Sequence, residues 1–296
     1  MKPSHLIETA LLHAVAGGFG ALPWQAAVSV GASIGRLLHV SGLRARVARE
    51  NLAFVFPDRS EGEREALLAL HYRELGRVAG EYAHLPRLAY APREQVFSSY
   101  EGEEHLREAA SHGRGVLLMT GHFGNFELLG ASIGRMQPVD AVFRPPSNPG
   151  TGRWLLATRA AAGLGQVSTS GGIKRVFQTL RAGRWVGLLG DQNARSDGVF
   201  VPFLGRAAST AAGPARISLA TGAPIVFGSI RRQPNGLHRV VIAPPLFPQG
   251  DARDEAAVRA LTEQHTRLLE RVVLEAPEHW FWLHRRWKTR PPEGVE

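Results

Sequence analysis

The chain contains no cysteine among its 296 residues. This absence excludes disulfides, thiolate nucleophiles and cysteine-based zinc sites, and it is compatible with a cytoplasmic location. Lysine is almost as scarce, because only Lys2, Lys174 and Lys288 occur, so arginine carries nearly all of the formal charge of +9. Arginine suits bidentate binding of phosphates and carboxylates. The charge therefore favours nucleic acid, an anionic membrane surface or a phosphorylated substrate as partner.

The chain also lacks an uninterrupted apolar run of the roughly 20 residues that span a bilayer. The apolar stretches 6–22 and 24–40 are interrupted by polar residues and glycines and are separated by Pro23. A signal peptide is not indicated, because Lys2 alone supplies positive charge and no convincing cleavage site follows. Residues 1–40 are predicted to form a helical hairpin in the membrane interface, with a pair of core-facing helices as the alternative.

Several common catalytic motifs are missing or misplaced. No G-x-x-x-x-G-K-[ST] loop occurs and no G-x-G-x-x-G follows a strand, so a nucleotide-phosphate cradle is unsupported. The G-x-S-x-G pattern occurs at 31–35 and 130–134, but both copies lie inside helical patterns. Ser33 and Ser132 are therefore interpreted as helix-packing residues and not as hydrolase nucleophiles. No metal site is predicted, because no obvious set of three ligands occurs.

Strand-like and helix-like segments alternate along most of the chain. A capping-box pattern at 60–63 opens an amphipathic helix that runs to about Leu85, and a last helix covers roughly 255–275. The alternation predicts an α/β fold with a single central, mostly parallel sheet covered by helices, and residues 41–296 form one domain. The strand candidates are 96–100, 115–120, 139–143, 166–168, 185–189, 199–203, 225–230 and 239–242.

The most informative stretch is Gly121–Glu127, with the sequence G-H-F-G-N-F-E, directly after the strand candidate 115–120. It places His122 at the carboxyl end of a parallel strand, where open α/β sheets bind their ligands. In a turn loosened by two glycines, Glu127 can contact His122, hold its tautomer and leave the other ring nitrogen as a general base. The alternative is that His122 caps the next helix and Glu127 lies in its first turn.

Polar residues also follow two other strand candidates. Arg144 comes after 139–143 and is predicted to bind a phosphate or an acidic head group, or else to be a surface arginine. Asp191 and Gln192 come after 185–189. Asp191 either caps a helix or orients Arg144 or the substrate.

Two later stretches have more than one interpretation. The apolar segment 199–205 can line a groove for an acyl chain or pack in the core. The segment 280–288 mixes aromatic residues with cations, which suits a membrane interface, single-stranded nucleic acid or a core with arginines facing solvent.

This ordered set of motifs resembles the bacterial lipid A biosynthesis late acyltransferases, the lauroyl/myristoyl transferase group, and their relatives that acylate phosphatidylinositol mannosides. The resemblance extends over nearly the whole chain. It is carried by the segments 50–52, 56–57, 121–127, 144 with 148–149, 190–192, 201–205 and 282–290.

The resemblance implies a glycerolipid acyltransferase-like fold with a membrane-bound N-terminal helix. It also implies that His122 is the base, Glu127 its acidic partner, Arg144 the motif arginine and Asp191 the acidic residue of the later motif. We expect the substrate to be bound by Arg144, Asp191 and four further residues, Asn125, Gln192, Arg285 and Arg286. Backbone N–H groups around Gly124 and Asn125 are candidates for stabilising the oxyanion.

The expected reaction moves a fatty acyl chain from an acyl thioester, of acyl carrier protein or coenzyme A, to a hydroxyl of a lipid A precursor. No metal or redox cofactor is required, and nucleic acid is not an expected partner. We expect peripheral or monotopic attachment at the cytoplasmic face of the bacterial inner membrane. The alternative acceptors are another glycolipid, a phosphatidylinositol mannoside or a lysophospholipid. A non-catalytic protein that binds anionic lipid or nucleic acid is the rival of a different class.

Overall fold

The structure, a computed structural model, describes residues 2–168 and 172–292. Its helices are α1 (Pro3–Ala21), α2 (Trp24–Val40), α3 (Ala45–Val55), α4 (Glu61–Tyr82), α5 (Leu85–Tyr90), α6 (Arg93–Val96), α7 (Glu103–Ser111), α8 (Phe126–Gly134), α9 (Pro149–Ala161), α10 (Gly172–Arg181), α11 (Gly213–Thr221) and α12 (Glu255–Glu275). Its strands are β1 (Phe97–Glu101), β2 (Val116–Thr120), β3 (Val139–Phe143), β4 (Gly165–Ser168), β5 (Trp185–Leu189), β6 (Gly198–Phe203), β7 (Arg206–Ala211), β8 (Ile225–Arg232) and β9 (His238–Ile242).

Seven of the described strands form the central sheet in the order β1-β9-β8-β2-β5-β3-β4. Neighbours run parallel except β8 and β9. Alternate residues of β2 face opposite sides, so Leu117 packs in one apolar cluster with Leu269 of α12, and Leu118 packs in another with Leu128 of α8. The prediction of an α/β fold with a mostly parallel central sheet flanked by helices is confirmed.

The predicted strand at 199–203 exists, but it lies outside the central sheet. It is part of β6, which pairs antiparallel with β7 in a separate two-stranded sheet. Strand β7 was not predicted, because Thr210 is the only β-branched residue in its sequence R-A-A-S-T-A and the sequence has no aromatic residue. Strand β7 is extended because it pairs with β6 and is buried under the C-terminal segment, residues 276–292.

The helix boundaries follow local signals. At the start of α4, the Ser60 hydroxyl accepts from the Glu63 N–H (3.2 Å) and the Glu63 carboxylate accepts from the Ser60 N–H (2.7 Å), so the predicted capping box is confirmed. Helix α4 ends at Tyr82, before the predicted Leu85, and α5 begins there with a proline in its first turn. The last helix, α12, has the predicted bounds.

Helices α2 and α4 pack so closely that only glycine fits at the contact. A Cβ atom added to Gly31 would lie 2.1 Å from the carbonyl oxygen of Gly76, and one added to Gly35 would lie 2.0 Å from that of Tyr72. The first G-x-S-x-G copy is therefore a helix-packing element. Ser33 and Ser132 both lie within helices and not at a strand-to-helix turn, as predicted.

The N-terminal segment consists of two helices joined at Leu22 and Pro23, as predicted. Helix α1 contacts the start of α9, where the Asn148 side chain donates to the carboxylate of Glu8 (2.9 Å) and to the carbonyl of His5 (3.0 Å). Among the described residues, no single helix has the length and hydropathy to cross a membrane. Helices α2 and α3 together meet those criteria by length and composition, with a bend of 89° between them.

Candidate active site

Two neighbouring strand ends bring His122 and Asp191 together. Strands β2 and β5 are parallel with Thr120 opposite Leu189, so the residues that follow each strand leave the sheet side by side. The His122 Nδ1 atom lies 2.8 Å from Asp191 Oδ1, and the His122 backbone N–H donates to Asp191 Oδ2 at 2.8 Å. Gly121 leaves room for this approach, because a Cβ there would lie 3.3 Å from Asp191 Oδ2 and 2.7 Å from the end of the Leu269 side chain.

Asp191 is enclosed by donors. It is 3% exposed, and the indole N–H of Trp280 donates to its Oδ2 at 3.0 Å. Burial alone would raise the pKa of Asp191, but the charge and the hydrogen bonds of His122 lower it below its ordinary value. Asp191 is therefore a carboxylate near neutral pH. Its carboxylate binds His122 and Trp280 and does not cap a helix or bind Arg144, while its contribution to substrate binding stays a prediction.

His122 has the arrangement of a general base. Since its Nδ1 faces a carboxylate, that nitrogen carries the proton and Nε2 has the free lone pair. The rings of Phe126 and Phe281 flank the imidazole at centroid distances of 5.2 and 6.1 Å, and the amide of Gln192 lies 3.5 Å from Nε2. Burial would lower the pKa of His122, but Asp191, with a further contribution from Glu127, raises it above its ordinary value.

The expected hydrogen bond between Glu127 and His122 is absent from the described structure. Glu127 is the second residue of α8, and its side chain points towards α9, where the Arg159 Nε–H donates to both carboxylate oxygens at 3.0 Å and a second nitrogen of Arg159 also donates. The physical reason is the helix, which begins at Phe126 and turns Glu127 away from the strand end. Asp191, and not Glu127, holds the His122 tautomer.

Arg159 was missed by the sequence reasoning. Its side chain is 15% exposed, and although burial would lower its pKa, Glu127 raises the pKa above the ordinary value. The signal in the sequence is weak, since Arg159 lies ten residues into a helix with no motif of its own around it. Only the hydrogen bonds between the two side chains in the folded structure identify it as the partner of Glu127.

Asn125, which was predicted to bind the substrate, is buried in the structure and has protein partners on both sides of its amide. It is 1% exposed and it caps α8, since its Oδ1 accepts from the Leu128 N–H at 3.1 Å. Its amide nitrogen donates to the fully buried Glu81 at 2.9 Å. Glu81 also accepts from His238 Nε2 at 2.9 Å and forms an ion pair with Arg232 at 2.7 Å. Residues 121–125, between β2 and α8, are called the motif loop. Asn125 thus connects the motif loop to a buried ionic cluster.

The C-terminal segment holds the same loop from the other side. The N–H of Phe281 donates to the carbonyl of His122 at 3.1 Å, and the N–H of Gly124 donates to the carbonyl of His279 at 2.9 Å. The Gly124 N–H is therefore not available for an oxyanion, contrary to prediction. Gly124 has φ +55°, and a Cβ there would lie 2.0 Å from the Ile230 carbonyl oxygen.

The aromatic residues of the C-terminal segment belong to the core. Trp280 and Trp282 are 1% and 0% exposed, so the membrane-interface interpretation is wrong for these two side chains. Asn51 anchors the segment, because its amide donates to the carbonyls of Trp282 (2.8 Å) and His284 (2.9 Å). This contact explains why an asparagine far from the loop belongs to the motif set.

The two adjacent arginines of this segment have different positions. Arg286 is 1% exposed and donates to the Ser209 carbonyl and the Thr210 hydroxyl, while burial lowers its pKa to about 10. Its predicted role in substrate binding does not agree with this burial. Arg285 is exposed and lines a basic groove of about 940 Å³ next to the His122 site. The groove is also lined by Arg44, Arg46, Arg144, Gln192, Asn193, Arg195, His284 and Lys288.

A narrow apolar cavity of about 80 Å³ lies on the other side of the motif loop, between the sheet and α8. Glu127, Arg159 and Phe126 line it together with apolar side chains of β2, β3, β5 and α8, among them Leu118, Met119, Leu129, Ile133, Val142 and Leu188. The segment 199–205, considered for this role, packs elsewhere, because Val201 and Phe203 are fully buried and Phe203 contacts Trp280. In the described residues no three His, Asp or Glu side chains are grouped as metal ligands.

Comparison with known proteins shows which family the chain resembles. A family model described as bacterial lipid A biosynthesis acyltransferase matches residues 3–289. The chain is 30% identical over 283 residues to the lipid A biosynthesis lauroyltransferase of Escherichia coli K12, which covers 93% of this chain and 89% of the relative. It is 28% identical over 274 residues to the palmitoleoyltransferase of the same organism, with coverages of 91% and 87%. A phosphatidylinositol mannoside acyltransferase of Mycobacterium tuberculosis is 26% identical over 60% of this chain and 58% of its own length.

Proposed function

Because the chain belongs to the bacterial lipid A biosynthesis acyltransferase family, we propose that its His122–Asp191 pair transfers a fatty acyl chain from a thioester to a hydroxyl of a lipid A precursor. The observation that carries the mechanism is the 2.8 Å contact between His122 Nδ1 and a buried carboxylate, which leaves Nε2 as an acceptor. The donor is a thioester of acyl carrier protein or of coenzyme A.

The proposed reaction needs one base and no covalent enzyme intermediate. The acceptor hydroxyl gives its proton to His122 Nε2 while its oxygen attacks the thioester carbonyl carbon. The tetrahedral intermediate then collapses, the C–S bond breaks, and the imidazolium returns the proton to the leaving thiolate. Asp191 stabilises the imidazolium in between. General-base assistance of this kind contributes about 10²–10⁴-fold in rate.

Glu127 and Arg159 act at the apolar cavity. They bridge the first turn of α8 and the last turn of α9, and both line the cavity. In the proposal the donor acyl chain occupies this cavity, whose walls are mostly aliphatic, and the ion pair keeps the two helices at a constant separation. If either partner is removed, the other is left as a largely buried charge without a counter-charge. The folding free-energy cost of this unpaired charge is far greater than that of the intact pair.

The basic groove receives the phosphates of the substrates. Arg44, Arg144, Arg195, Arg285 and Lys288 are exposed along it, and Gln192 connects it to His122. Exposed guanidinium groups bind phosphate bidentately, so the groove suits the phosphates of the glycolipid or of the donor carrier. Charge reversal at Arg285 and Arg144 that leaves the KM of both substrates unchanged would exclude this assignment.

We place the protein at the cytoplasmic face of the bacterial inner membrane, with peripheral or monotopic attachment. Helix α1 exposes apolar side chains at one-turn intervals, and α2 continues the apolar surface, at Ile7, Leu11, Val15, Val30, Ile34 and Leu37. Flotation with vesicles that contain anionic lipid tests the placement. A variant with Ile7 and Leu11 changed to Glu that floats as efficiently as the unmodified protein would contradict it.

Radiolabelled acyl transfer by purified protein in detergent tests the function. Acyl carrier protein and coenzyme A donors are each offered with a lipid A precursor, a phosphatidylinositol mannoside and a lysophospholipid. We expect transfer to the lipid A precursor, and its loss in His122→Ala with the fold retained. The Mycobacterium relative makes the mannoside the second candidate acceptor. Transfer that survives in His122→Ala refutes the base. Salt-dependent oligonucleotide binding without transfer to any acceptor would favour a binding protein.

A further inference from the structure

A second cavity, of about 180 Å³, borders His122 on the side of α4. We call it the α4 cavity. Its apolar walls come from α4, from the motif loop and from the C-terminal segment, and Phe126 lines both this cavity and the narrow one. His122 lines the α4 cavity but not the narrow one. The lining residues are His71, Glu74, Leu75, Val78, His122, Gly124, Phe126, Glu278, His279 and Phe281.

Two buried nitrogens of residues that line the α4 cavity have no hydrogen-bond partner in the described part of the chain, His71 Nε2 and His279 Nδ1, and the second of them lies 3.2 Å from the carboxylate of Glu278. His71 is 1% exposed, and its Nδ1 lies 3.1 Å from the carbonyl oxygen of Glu278, so Nδ1 carries the proton. Burial lowers the pKa of His71 to about 4, and the ring is neutral near pH 7. Its Nε2 is then an acceptor, and it has no hydrogen-bond partner in the described part of the chain. Buried acceptors are rarely left unpaired in native proteins.

The charges around the α4 cavity do not suit a phosphate. None of the described residues that line it is an arginine or a lysine. Its two carboxylates are occupied, since Glu74 pairs with Arg77 and Arg232, and Glu278 pairs with His279. An uncharged, mostly apolar group with one hydrogen-bond donor therefore fits the α4 cavity, whereas the basic groove fits the phosphates.

We infer that the α4 cavity holds the acyl segment of the acceptor lipid next to the attacking hydroxyl, and that an N–H or O–H of this segment donates to His71 Nε2. The inference rests on the proposed function and deepens it. A base must touch the group that it deprotonates, and His122 lines this cavity. The donor chain then lies in the narrow cavity, and Phe126 separates the two chains near the reacting atoms.

The test compares the two cavities by filling each one in the purified full-length protein. Leu75→Trp fills the α4 cavity, and we expect the KM for a lipid A precursor to rise about tenfold or more while the KM for the acyl thioester stays the same. The matched variant, Ala141→Leu, narrows the other cavity. It should shift the preference to shorter donors, in a series of thioesters that differ stepwise in chain length, without changing the KM for the acceptor.

The polar contact is tested separately. His71→Phe keeps an aromatic ring but removes the acceptor nitrogen, so we expect the KM for the acceptor to rise about tenfold with an unchanged KM for the donor. His71→Gln places an amide oxygen near the position of Nε2 and should recover part of this loss. A general loss of folding would lower kcat for all substrates and would not be rescued by Gln in this selective manner.

The outcomes separate this inference from the proposed function. If Leu75→Trp changes the donor chain-length preference and leaves the acceptor KM unchanged, the assignment of the two cavities is reversed and the inference is wrong. Unchanged kinetics in both Leu75→Trp and His71→Phe also overturn it. Should Leu75→Trp not fold, as judged by circular dichroism, Val78→Phe fills the same space. Absence of transfer by the unmodified protein would instead count against the proposed function.

Discussion

The motif loop has a buried carboxylate on each side, and the two have different partners. Asp191 accepts from His122 and Trp280 at the ends of the parallel strands β2 and β5. Glu127, five residues after His122 in sequence, pairs with Arg159 on a neighbouring helix. Asp191, 69 residues away, is therefore the partner of the base. The comparison shows that sheet order, and not distance in sequence, selects which carboxylate serves the imidazole.

The consequences for chemistry differ accordingly. Asp191 acts on the protonation and orientation of His122, so its effect belongs to the proton-transfer step. Glu127 acts on the position of Arg159 and on the wall of the narrow cavity, so its effect belongs to chain binding and loop geometry. Three predictions test this division of roles, and one more tests how Glu81 supports the loop that carries His122.

The largest effect is expected for Asp191→Asn. The amide cannot stabilise the imidazolium, and it favours the wrong His122 tautomer by donating to Nδ1. Where a carboxylate orients a catalytic histidine in this way, the same change lowers kcat by about 10⁴-fold. We expect a loss of about 10³–10⁴-fold with little change in either KM, measured by radiolabelled transfer.

The double variant His122→Ala/Asp191→Asn provides the control. Residues that act as one unit are not additive, so the double variant should be hardly less active than His122→Ala alone. Fully multiplicative losses would show that Asp191 acts independently of the base.

For Glu127→Ala we expect a smaller effect, a fall of about 10²-fold in the rate of acyl transfer. Its removal leaves Arg159 largely buried without a counter-charge, and breaking buried pairs costs about 3–5 kcal/mol in general. The 15% exposure of Arg159 places the expected loss of unfolding free energy towards the lower end of that range. Urea denaturation and transfer assays measure both effects.

Glu127→Ala/Arg159→Met is the matched control. Without the orphaned guanidinium, stability should return in part while the rate stays low. If instead Glu127→Ala lowered the rate by as much as Asp191→Asn and left stability unchanged, a direct catalytic role for Glu127 would replace the positional one.

Much of this site could be predicted from the sequence, because the end of a strand can be recognised from the local pattern of apolar residues. The apolar runs that end at Thr120 and Leu189 identified His122 and Asp191 as strand-end residues. Their pairing depends on β5 lying beside β2, and this order results from packing across the whole sheet. A single sequence does not encode it in any local pattern.

Other features escaped prediction for the same reason. Arg159 reaches Glu127 because the fold brings the last turn of α9 near the first turn of α8, and no residue spacing indicates this. The sequence around Trp280 and Trp282 is typical of aromatic residues at a membrane interface, but both side chains are buried. Trp280 also forms an isolated antiparallel β-bridge with Phe123, which is buried as well. Asn125 was expected to contact substrate because it lies inside the motif, whereas Glu81 binds it from a remote helix.

The third prediction concerns Glu81, whose carboxylate accepts a hydrogen bond from Asn125 of the motif loop. Glu81→Gln weakens the hydrogen bond from Asn125 and removes the nearer of the two carboxylates of Arg232, which then keeps only Glu74 at 3.4 Å. We expect kcat to fall by about tenfold with both KM values nearly unchanged, because Glu81 contacts no substrate site.

Stability as a function of pH checks the charge of Glu81. Although burial raises its pKa, His238 and Arg232 lower it from 4.5 to about 2. A depressed pKa in the folded protein means that this stabilisation is complete above about pH 4.5 and is lost as the pH falls towards 2. Thermal unfolding of Glu81→Gln should lose that part of the acid dependence. An identical acid dependence in the variant would contradict the ionised cluster.

The smallest effect is expected in the pH dependence of kcat/KM, which distinguishes the role of Asp191 from that of Glu127. The base is active when neutral, so the rate should rise with pH through the pKa of His122, which lies above its ordinary value. Asp191 raises this pKa more than Glu127 does. In Glu127→Gln the rising limb should therefore move to lower pH but stay above the ordinary value for histidine, because Asp191 is still present. A limb in Glu127→Gln that falls to or below the ordinary histidine range would make Glu127 the main electrostatic partner of the base, and the division of roles between the two carboxylates would have to be reversed.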